Sequence, residues 1–282
     1  MDSKELGLVL AKQLLDVEDL HYGLWDGDLE LKLANIGIAQ QRYNDMLIAE
    51  LPPAPARVLD IGCGTGHLLR QLLDRGYEVD GVVPAADLAR AVRQRLEGHR
   101  GREPRLYECR FEDLPDDVRG YDVALFSESF QYIALASSLT RVPKMLKPGG
   151  TMLICDFFKT DADGDGGPGD RSFKGGHRWR EFQARVAQAP FELVKDEDIT
   201  QRVSPNLELL NDLLMNRLKP AGLTLHRYLS ENHPLKTRLA LWLLRKKLAK
   251  ANYKYFSGFR SREVFERYKT YHLLVYRLSG GG

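Results

Sequence analysis

Three glycines at alternate positions follow a short apolar run in the segment VLDIGCGTGHL, residues 58–68. Gly62, Gly64 and Gly66 permit a tight turn and let a ligand approach the backbone at the start of the next helix. A phosphate-binding loop would continue with Gly-Lys-Ser/Thr, and a dinucleotide site would favour G-x-G-x-x-G, but neither pattern is present. The spacing, with Asp60 just before the turn, therefore favours a ligand that has a charged amino acid end.

Alternating strand and helix patterns surround this glycine turn. The sequence predicts strands at 57–61, 78–83, 105–110, 121–127 and 151–158. It predicts helices between them at 66–75, 86–97 and 135–146. This alternation implies right-handed crossovers and a mainly parallel sheet with helices on both faces. Ligands of such sheets bind at the carboxyl ends of the strands, which is where the glycines lie.

The segments outside this α/β core are mostly helical. Residues 1–50 carry two helical patterns separated by HYGLWDGD at 21–28, and the Gly- and Asp-rich stretch 161–176 predicts a flexible lid or a solvated linker. A strand at 191–200 and a last strand at 269–278 enclose helices at about 205–218, 221–231 and 234–256. We therefore expect four parts: an N-terminal helical lid (1–50), the core (51–200), an inserted helical lobe (201–260) and the last core strand (261–279).

Composition excludes several classes of protein. A chain of 282 residues with 43% hydrophobic residues can bury a large core, and a net charge of +2 gives no general attraction for nucleic acid. We expect a cytoplasmic protein, because the sequence shows neither a secretory signal nor a membrane span. Cys63, Cys109 and Cys155 have no spacing typical of a disulfide or zinc site. DADGDG at 161–166 resembles a calcium loop but has Ser172 where a bidentate Glu is required, so we expect no metal.

Three segments in order carry a family resemblance: VLDIGCGTG, YDVALFSESFQY and LKPGGTMLICDFF. They resemble the class I S-adenosylmethionine-dependent methyltransferases over about residues 55–160. The resemblance implies a Rossmann-like, seven-stranded, mainly parallel sheet with an antiparallel last strand. HYGLWDGD and the later segments also resemble the small-molecule branch that includes the tocopherol, coclaurine and cyclopropane fatty acid enzymes.

The resemblance assigns cofactor contacts along the first and second strands. Asp60 would orient the ammonium group of S-adenosylmethionine, and the turn of Gly62, Cys63, Gly64 and Gly66 would pack against its methionine part. The family usually has an acidic residue after the second strand to accept hydrogen bonds from the ribose. This chain has Val83 there. Either Asp87 reaches back, or backbone and water supply the contacts, or the affinity for the cofactor is reduced; Asp87 is equally typical of an ordinary helix first turn.

The resemblance also assigns the adenine end and the methyl-transfer end. After the third strand, Phe111 would pack beside the adenine, and Glu112 or Asp113 would accept from its amine, with Glu112 preferred. Arg110 stands where many members have Asp. After the fourth strand, Ser127, Glu128 and Ser129 would line the pocket beside the transferable methyl.

The N-terminal lid supplies further candidates. Tyr22, with His21 and Trp25, would close over the cofactor in that branch, or Tyr22 and Trp25 only hold the first helices against the core. The candidate catalytic residues are Glu128, His21 and Tyr22, with His177 as another possible base. A purely structural role is the alternative: Glu128 would cap a helix, and His21 would make a hydrogen bond in the core. The choice among them stays open.

These features predict a methyltransferase of a small or lipophilic metabolite, with the acceptor N, O or C undetermined. A peptide or protein amine as acceptor and a non-catalytic binding protein are the two alternatives. The fourth strand lacks the Asn/Asp-Pro-Pro-aromatic motif of nucleic acid base methyltransferases, which argues against nucleic acid. Residues 236–262 combine basic and aromatic side chains. This combination predicts a surface that contacts lipids, an acidic carrier or an acidic peptide. The alternative is a basic helix face that is only solvated.

Overall fold

A seven-stranded sheet lies at the centre of the computed structural model, which describes residues 21–279. Its strands are β1 (Arg57–Ile61), β2 (Glu78–Val82), β3 (Leu106–Tyr107), β4 (Tyr121–Ser127), β5 (Leu146–Lys159), β6 (Phe191–Asp198) and β7 (Lys269–Leu278). The order across the sheet is β3-β2-β1-β4-β5-β7-β6. Strands β1 to β5 pair in parallel, and β7 pairs antiparallel with both neighbours. The predicted Rossmann-like sheet is confirmed.

Ten α-helices connect the strands within the described residues. They are α1 (Ile36–Ala49), α2 (His67–Asp74), α3 (Ala86–Leu96), α4 (Leu135–Met145), α5 (Trp179–Val186), α6 (Thr200–Val203), α7 (Pro205–Asp212), α8 (Lys219–Asn232), α9 (Pro234–Ala251) and α10 (Arg262–Tyr268). π-helical turns at Leu213–Leu218 and Asn252–Phe256 follow α7 and α9, and short 3-10 turns lie at Leu33–Asn35, Phe111–Asp113 and Phe130–Tyr132. The predicted helical insertion before the last strand is therefore present as α6 to α10.

The central strands of the sheet are buried on both faces because they are almost continuously apolar, whereas the edge strand β6 is largely exposed. Alternate residues of β4 show this: Val123 and Leu125 belong to one core cluster, and Ala124 and Phe126 belong to the other. The first cluster contains residues of α1, α2, α3 and α10, and the second contains residues of α4 and α5. The helices therefore cover both faces, as expected.

The connection after β3 sets the position of the site. The chain leaves β1 toward β2 and β3 on one side, and then returns to place β4 on the other side of β1. A crevice opens at the carboxyl ends of β1 and β4, where the strand order reverses. Both the glycine turn and the SESFQY segment lie at this edge.

Several element boundaries differ from the predictions. Strand β2 ends one residue before Val83, β3 has two residues instead of six, and β5 begins at Leu146 and so includes LKPGG. Helices α5 and α10 were not predicted, because each is short and follows a Gly- or Ser-rich stretch. The predicted break at 219–220 is absent, since Pro220 lies in the first turn of α8, where a helix tolerates proline.

The N-terminal part is described only from residue 21. The first predicted helix falls outside the described residues, and the second begins at Ile36 after a 3-10 turn. Over residues 21–279, no helix is long and apolar enough to cross a membrane.

Candidate active site

The glycine turn is held against the end of β2 by its own backbone. The N–H groups of Gly62 and Cys63 both donate to the Val82 carbonyl, at 2.8 and 3.2 Å, and the Gly66 N–H donates to the Cys63 carbonyl at 2.8 Å. Gly62, Gly64 and Gly66 have φ angles of +83°, +55° and +79°. Only glycine adopts such angles freely, which explains the residue type at all three positions.

The three glycines differ in what surrounds them. A Cβ on Gly62 would collide with the side chain of Ser129, and one on Gly66 would lie 3.1 Å from Val92. A Cβ on Gly64 would meet no protein atom within 4 Å. Packing therefore accounts for the outer two glycines, whereas Gly64 borders open space at the site edge.

A cavity of about 290 Å³ lies at the same sheet edge. Its lining comes from the ends of β1, β2 and β4 and from the loop after β3, and comprises Ile61, Gly62, Val82, Pro84, Arg110, Phe111, Glu112, Ser129, Tyr132 and Ile133. Its volume is close to the lower end of ordinary ligand pockets. The side chains are mainly apolar with a few polar groups, which suits a flat, weakly polar group. Four of the predicted cofactor-binding residues line it: Gly62, Phe111, Glu112 and Ser129.

Phe111 and Glu112 have different surroundings within that lining. Phe111 is buried and meets Phe126 edge to face, with 5.9 Å between ring centroids. Glu112 Oε1 accepts from the Ala134 N–H at 3.4 Å, and Arg110 Nε lies 3.8 Å from the other oxygen of Glu112. The Glu112 carboxylate is therefore held at the rim of the cavity.

The remaining cofactor candidates divide between core and surface. Asp60 is buried in β1, and burial raises the pKa of the neighbouring Cys63 thiol. Val83 is buried in the core, and its N–H donates to the Tyr107 carbonyl at 3.0 Å. Asp87 is exposed and forms an ion pair with Arg90. Neither Val83 nor Asp87 is part of the cavity lining given above.

Glu128 is the one described non-glycine residue with a left-handed backbone, at φ +52°. Its Oε1 accepts from the Tyr22 N–H at 2.8 Å and from the Tyr271 hydroxyl at 2.9 Å. Such a conformation costs about 1–3 kcal/mol and is found mainly at functional sites. The cost is offset by contacts that fix this carboxylate at the end of β4.

Asp156 is a buried acid beside this carboxylate that the sequence reasoning missed. It accepts from the Gln131 N–H at 2.9 Å, the Gln131 side-chain amide at 3.1 Å and the Phe157 N–H at 2.8 Å. Burial raises the pKa of Asp156 to about 8, and the Glu128 charge adds to this effect. An Asp inside the apolar run LICDFF was the available signal.

Aromatic side chains surround the Glu128 carboxylate. The Tyr22 ring meets Phe265 and Tyr271 edge to face, with centroids 6.0 and 6.3 Å apart, and Phe157 lies 6.4 Å from Tyr271. Tyr271 also bonds to the Tyr43 hydroxyl at 2.9 Å. Burial, reinforced by Glu128, raises the pKa of Tyr22 and of Tyr271 above the usual range, so both phenols keep their protons.

The segment that carries Tyr22 is anchored to helices from two parts of the chain. The Leu24 N–H donates to the Ala39 carbonyl, and the Trp25 N–H donates to the Arg202 carbonyl, both at 2.8 Å. His21 stacks on Tyr43 with centroids 4.5 Å apart, and its Nδ1 lies 2.7 Å from the Tyr22 carbonyl, to which it donates. Trp25 is buried, which agrees with the alternative that this side chain only holds the first helices against the core.

The other candidates near β4 are engaged elsewhere. The Ser127 hydroxyl lies 3.4 Å from the Tyr43 hydroxyl, and the Ser129 hydroxyl donates to the Ile61 carbonyl. His177 Nε2 donates to the Phe130 carbonyl at 3.1 Å. This bond ties His177 to the segment just after Glu128 and fixes the orientation of its ring.

Residues 161–176 pack against the body of the protein by hydrogen bonds. Asp165 accepts from the Tyr268 hydroxyl at 2.9 Å and from Arg267 at 2.6 Å, and the Gly175 carbonyl accepts from Lys269 Nζ at 2.7 Å. These bonds bring the end of the segment next to Gln131, because a Cβ on Gly175 would lie against the Gln131 amide oxygen. The segment therefore borders the Asp156 side of the site.

Comparison with known proteins shows which family this part of the chain resembles. The model of the family described as "Methyltransferase domain" matches residues 58–150, which span the glycine turn, the cavity and Glu128. Over these residues the sequence resembles a methyltransferase domain. The predicted resemblance to the class I methyltransferases is confirmed.

Curated relatives match less than half of this chain. An uncharacterized methyltransferase of Mycobacterium tuberculosis is 31% identical over 104 residues, which is 36% of this chain and 40% of that protein. Trans-aconitate 2-methyltransferase of Rhodopseudomonas palustris is 31% identical over 134 residues, 46% of this chain and 49% of the relative. The chain thus spans less than half the length of these two relatives.

Solved structures resemble nearly the whole chain. Geranyl diphosphate C-methyltransferase from Streptomyces coelicolor, in complex with Mg²⁺, geranyl-S-thiolodiphosphate and S-adenosyl-L-homocysteine, superposes with a TM-score of 0.67 at 17% identity, covering 96% of this chain and 91% of that one. The [4+2]-cyclase SpnF gives 0.65 at 18% identity, covering 98% and 95%. At such identities these similarities show the fold, which extends beyond the methyltransferase domain into the helical insertion.

Proposed function

We propose that the chain transfers the methyl group of S-adenosylmethionine to a small or lipophilic metabolite. The observation that carries the proposal is the open space at Gly64 next to a mainly apolar cavity, with the strained Glu128 at the same strand edge. When bound, the cofactor supplies a sulfonium methyl group. A residue with a side chain at position 64 would reach into the space where this ligand is held.

The residues present fit the cofactor along the sheet edge. Asp60 and the turn of Gly62, Cys63, Gly64 and Gly66 would hold the methionine part, and Phe111 and Glu112 would hold the adenine. For the ribose we propose contacts from backbone and water at 82–84, since Val83 is buried in the core and Asp87 is paired with Arg90.

We assign the role of base to Glu128, with His21 and His177 as the weaker candidates. The bonds from His21 Nδ1 and His177 Nε2 to backbone carbonyls orient the two rings and do not by themselves remove the second ring nitrogen as a base. Tyr22 keeps its proton. A carboxylate fixed by Tyr22 and Tyr271 would accept a proton from a hydroxyl, amine or carbon acceptor as the methyl is transferred in line.

The acceptor proposed here is lipophilic because the groups around Glu128 are aromatic. Tyr22, Phe157, Phe265 and Tyr271 would exclude water and contact an apolar skeleton, leaving Glu128 and Asp156 to recognise its reactive end. The geranyl diphosphate enzyme, whose title names such a substrate, has the same fold and supports this choice. Peptide amines are the weaker alternative.

The test is a calorimetric titration with S-adenosyl-L-homocysteine, followed by a turnover screen for its release from S-adenosylmethionine. We expect binding, and turnover with isoprenoid, aromatic or acyl acceptors but not with acidic peptides. Binding without turnover on any acceptor would favour a protein that, like the structurally similar cyclase, uses this fold for something other than methyl transfer. Absence of binding would contradict the proposal and support a non-catalytic protein.

A further inference from the structure

Helices α8 and α9, with the π-helical turn Asn252–Phe256, form an α8–α9 hairpin (219–256) that has no buried residue. A helix rich in leucine normally buries a face, so this exposure requires a partner. The exposed large apolar residues of the hairpin are Leu223, Leu225, Tyr228, Leu229, Leu235, Leu239, Leu241, Trp242, Leu243, Leu244, Leu248, Tyr253 and Tyr255.

The most exposed apolar side chains of α9 follow helical spacing. Leu235, Leu239, Trp242 and Leu243 stand at positions i, i+4, i+7 and i+8, and are between 58% and 82% exposed. Such spacing places them along one side of the helix. We call these four residues the apolar stripe. Lys246 and Lys250 continue the same side by the same four-residue step.

The charge of the hairpin is strongly one-sided. Residues 219–256 contain nine Lys and Arg but a single acidic residue, Glu231, and residues 232–262 contain no acidic residue. Since the whole chain has a net charge of only +2, the rest of it carries more acidic than basic residues. The positive charge is thus concentrated where the apolar side chains are exposed.

We propose that the α8–α9 hairpin docks on the surface of an anionic lipid bilayer. Exposed Leu and Trp next to Lys and Arg, with Tyr nearby, is the pattern by which helices lie in the headgroup region. Each basic residue near such a surface adds attraction to anionic lipids. A second copy of the chain fits less well, because two hairpins meeting through this face would bring like charges together.

The hairpin joins the body of the protein beside the candidate active site. The Arg260 guanidinium, just beyond the hairpin, lies 5.5 Å over the Tyr255 ring and 4.9 Å over the Phe173 ring. Phe173 in turn meets Phe265, which contacts Tyr22. A docked hairpin would bring the aromatic part of the site near the bilayer, but docking does not depend on methyl transfer and is tested without it.

The experiment measures the binding of the full chain to lipid vesicles, with tryptophan fluorescence and cosedimentation as the two readouts. Trp25 is buried and Trp179 stacks on His272 with centroids 4.0 Å apart, so Trp242 is the exposed reporter. With vesicles of phosphatidylcholine containing a quarter phosphatidylserine, we expect a blue shift and cosedimentation. Vesicles of phosphatidylcholine alone should bind much less, and Trp242→Phe should cosediment without the fluorescence change.

Matched variants test whether the charge of the hairpin itself, and not the net charge or the stability of the protein, determines vesicle binding. Lys246→Gln/Lys247→Gln/Lys250→Gln should weaken binding on the order of 100-fold, at about fivefold for each cation. Leu239→Ser/Leu243→Ser should also reduce it. The control, Arg100→Gln/Arg119→Gln/Lys144→Gln, makes the same charge change at exposed positions of the core and should bind like the unchanged protein.

Several outcomes would overturn the proposal. These are no cosedimentation with anionic vesicles, or equal binding by the lysine variant and its control. In a third outcome, Trp242 emission is blue-shifted without vesicles, the shift depends on protein concentration, and sedimentation velocity shows dimers. This result would assign the face to a second copy of the chain. The same emission from a monomer at every concentration would show that the chain itself covers the stripe.

Discussion

The Glu128 carboxylate accepts a hydrogen bond from the backbone N–H of Tyr22 at 2.8 Å, although 106 residues separate the two. The bond holds the segment around Tyr22 against the end of β4. The side chain proposed as the base is therefore also an anchor of the segment proposed as the lid. Opening that segment would change both access to the site and the surroundings of the base.

Glu128→Gln should separate these two roles. The amide oxygen can still accept from Tyr22 and Tyr271, so the segment should stay in place, but the side chain can no longer take a proton. We expect kcat to fall about 10²–10⁴-fold while the affinity for S-adenosyl-L-homocysteine changes little. Single-turnover rates and calorimetry measure the two quantities.

Glu103→Gln, an exposed change of the same kind, is the control and should keep full activity. If Glu128→Gln kept its rate, the acceptor would need no base, as for an amine that is already deprotonated, and the strained Glu128 would serve the lid alone. Loss of cofactor affinity in the same variant would instead place the carboxylate among the cofactor contacts.

Gly64→Ala tests the location of the cofactor. Gly64 and Gly98 both have positive φ, +55° and +75°, and a Cβ at either would meet no atom within 4 Å. Alanine should therefore cost each position a similar amount of stability, about 1 kcal/mol. Only Gly64→Ala should weaken binding of S-adenosyl-L-homocysteine, by tenfold or more, and Gly64→Val should abolish it.

Thermal unfolding and calorimetry of the two alanine variants provide the comparison. Equal affinities, with equal losses of stability, would mean that the ligand does not approach Gly64. A loss of affinity in Gly98→Ala as well would point to a general effect of strain and would remove the argument from the open space.

The parallel core could be predicted because its information is local. Strands β1, β4 and β7 have the boundaries that their apolar runs predicted, and the glycine turn fixed the edge where the cavity lies. Phe111 and Glu112 were placed at the cavity because their loop follows β3, whose position in a parallel sheet is determined by the crossovers. Hydrophobic periodicity and turn residues are sufficient to predict these strand boundaries and the position of the cavity.

The pairings around Glu128 could not be predicted because they join distant parts of the chain. Tyr271 reaches Glu128 only because β7 inserts antiparallel beside β5, and periodicity does not specify which residues face each other. Asp156 was missed because a single acid in an apolar strand shows no burial in sequence. The exposure of the α8–α9 hairpin was equally hidden, since its leucines alone predict a packed helix.

Asp80→Asn should destabilise the fold without affecting the site. Asp80 is buried in β2 and accepts from Arg57, Arg102, the Tyr121 hydroxyl and the Arg105 N–H, at 2.8–3.2 Å. Burial opposes its charge, but the Arg105 N–H, Tyr121 and the two arginines more than offset this and hold the pKa of Asp80 below its usual value. Because both arginines are partly exposed, we expect a loss of about 2–3 kcal/mol.

The contribution of Asp80 should disappear in acid. A lowered pKa adds stability above the unfolded value of 3.8, and this stability is lost as the pH falls through the lower folded value. Denaturant unfolding at pH 7 and below pH 3 measures the difference, while the affinity for S-adenosyl-L-homocysteine should remain that of the unchanged protein. A variant as stable as the parent at pH 7 would contradict the argument.

Asp156→Asn should change the pH dependence of stability in the opposite sense. The pKa of Asp156 is raised from 3.8 to about 8, so between these values the folded protein holds a proton that the unfolded chain releases. Stability should therefore fall as the pH rises from 4 to 8, with a slope of up to about 1.4 kcal/mol per pH unit from this group. The asparagine variant lacks the titration, so the free energy of unfolding of the parent minus that of the variant should decrease steadily across this range.

Asp116→Asn, at an exposed position, is the control and should give a curve of stability against pH that is parallel to that of the parent. A constant difference between parent and Asp156→Asn from pH 4 to 8 would show that the three hydrogen bonds from Gln131 and Phe157 keep Asp156 ionised, and the site would then hold two negative charges beside the acceptor.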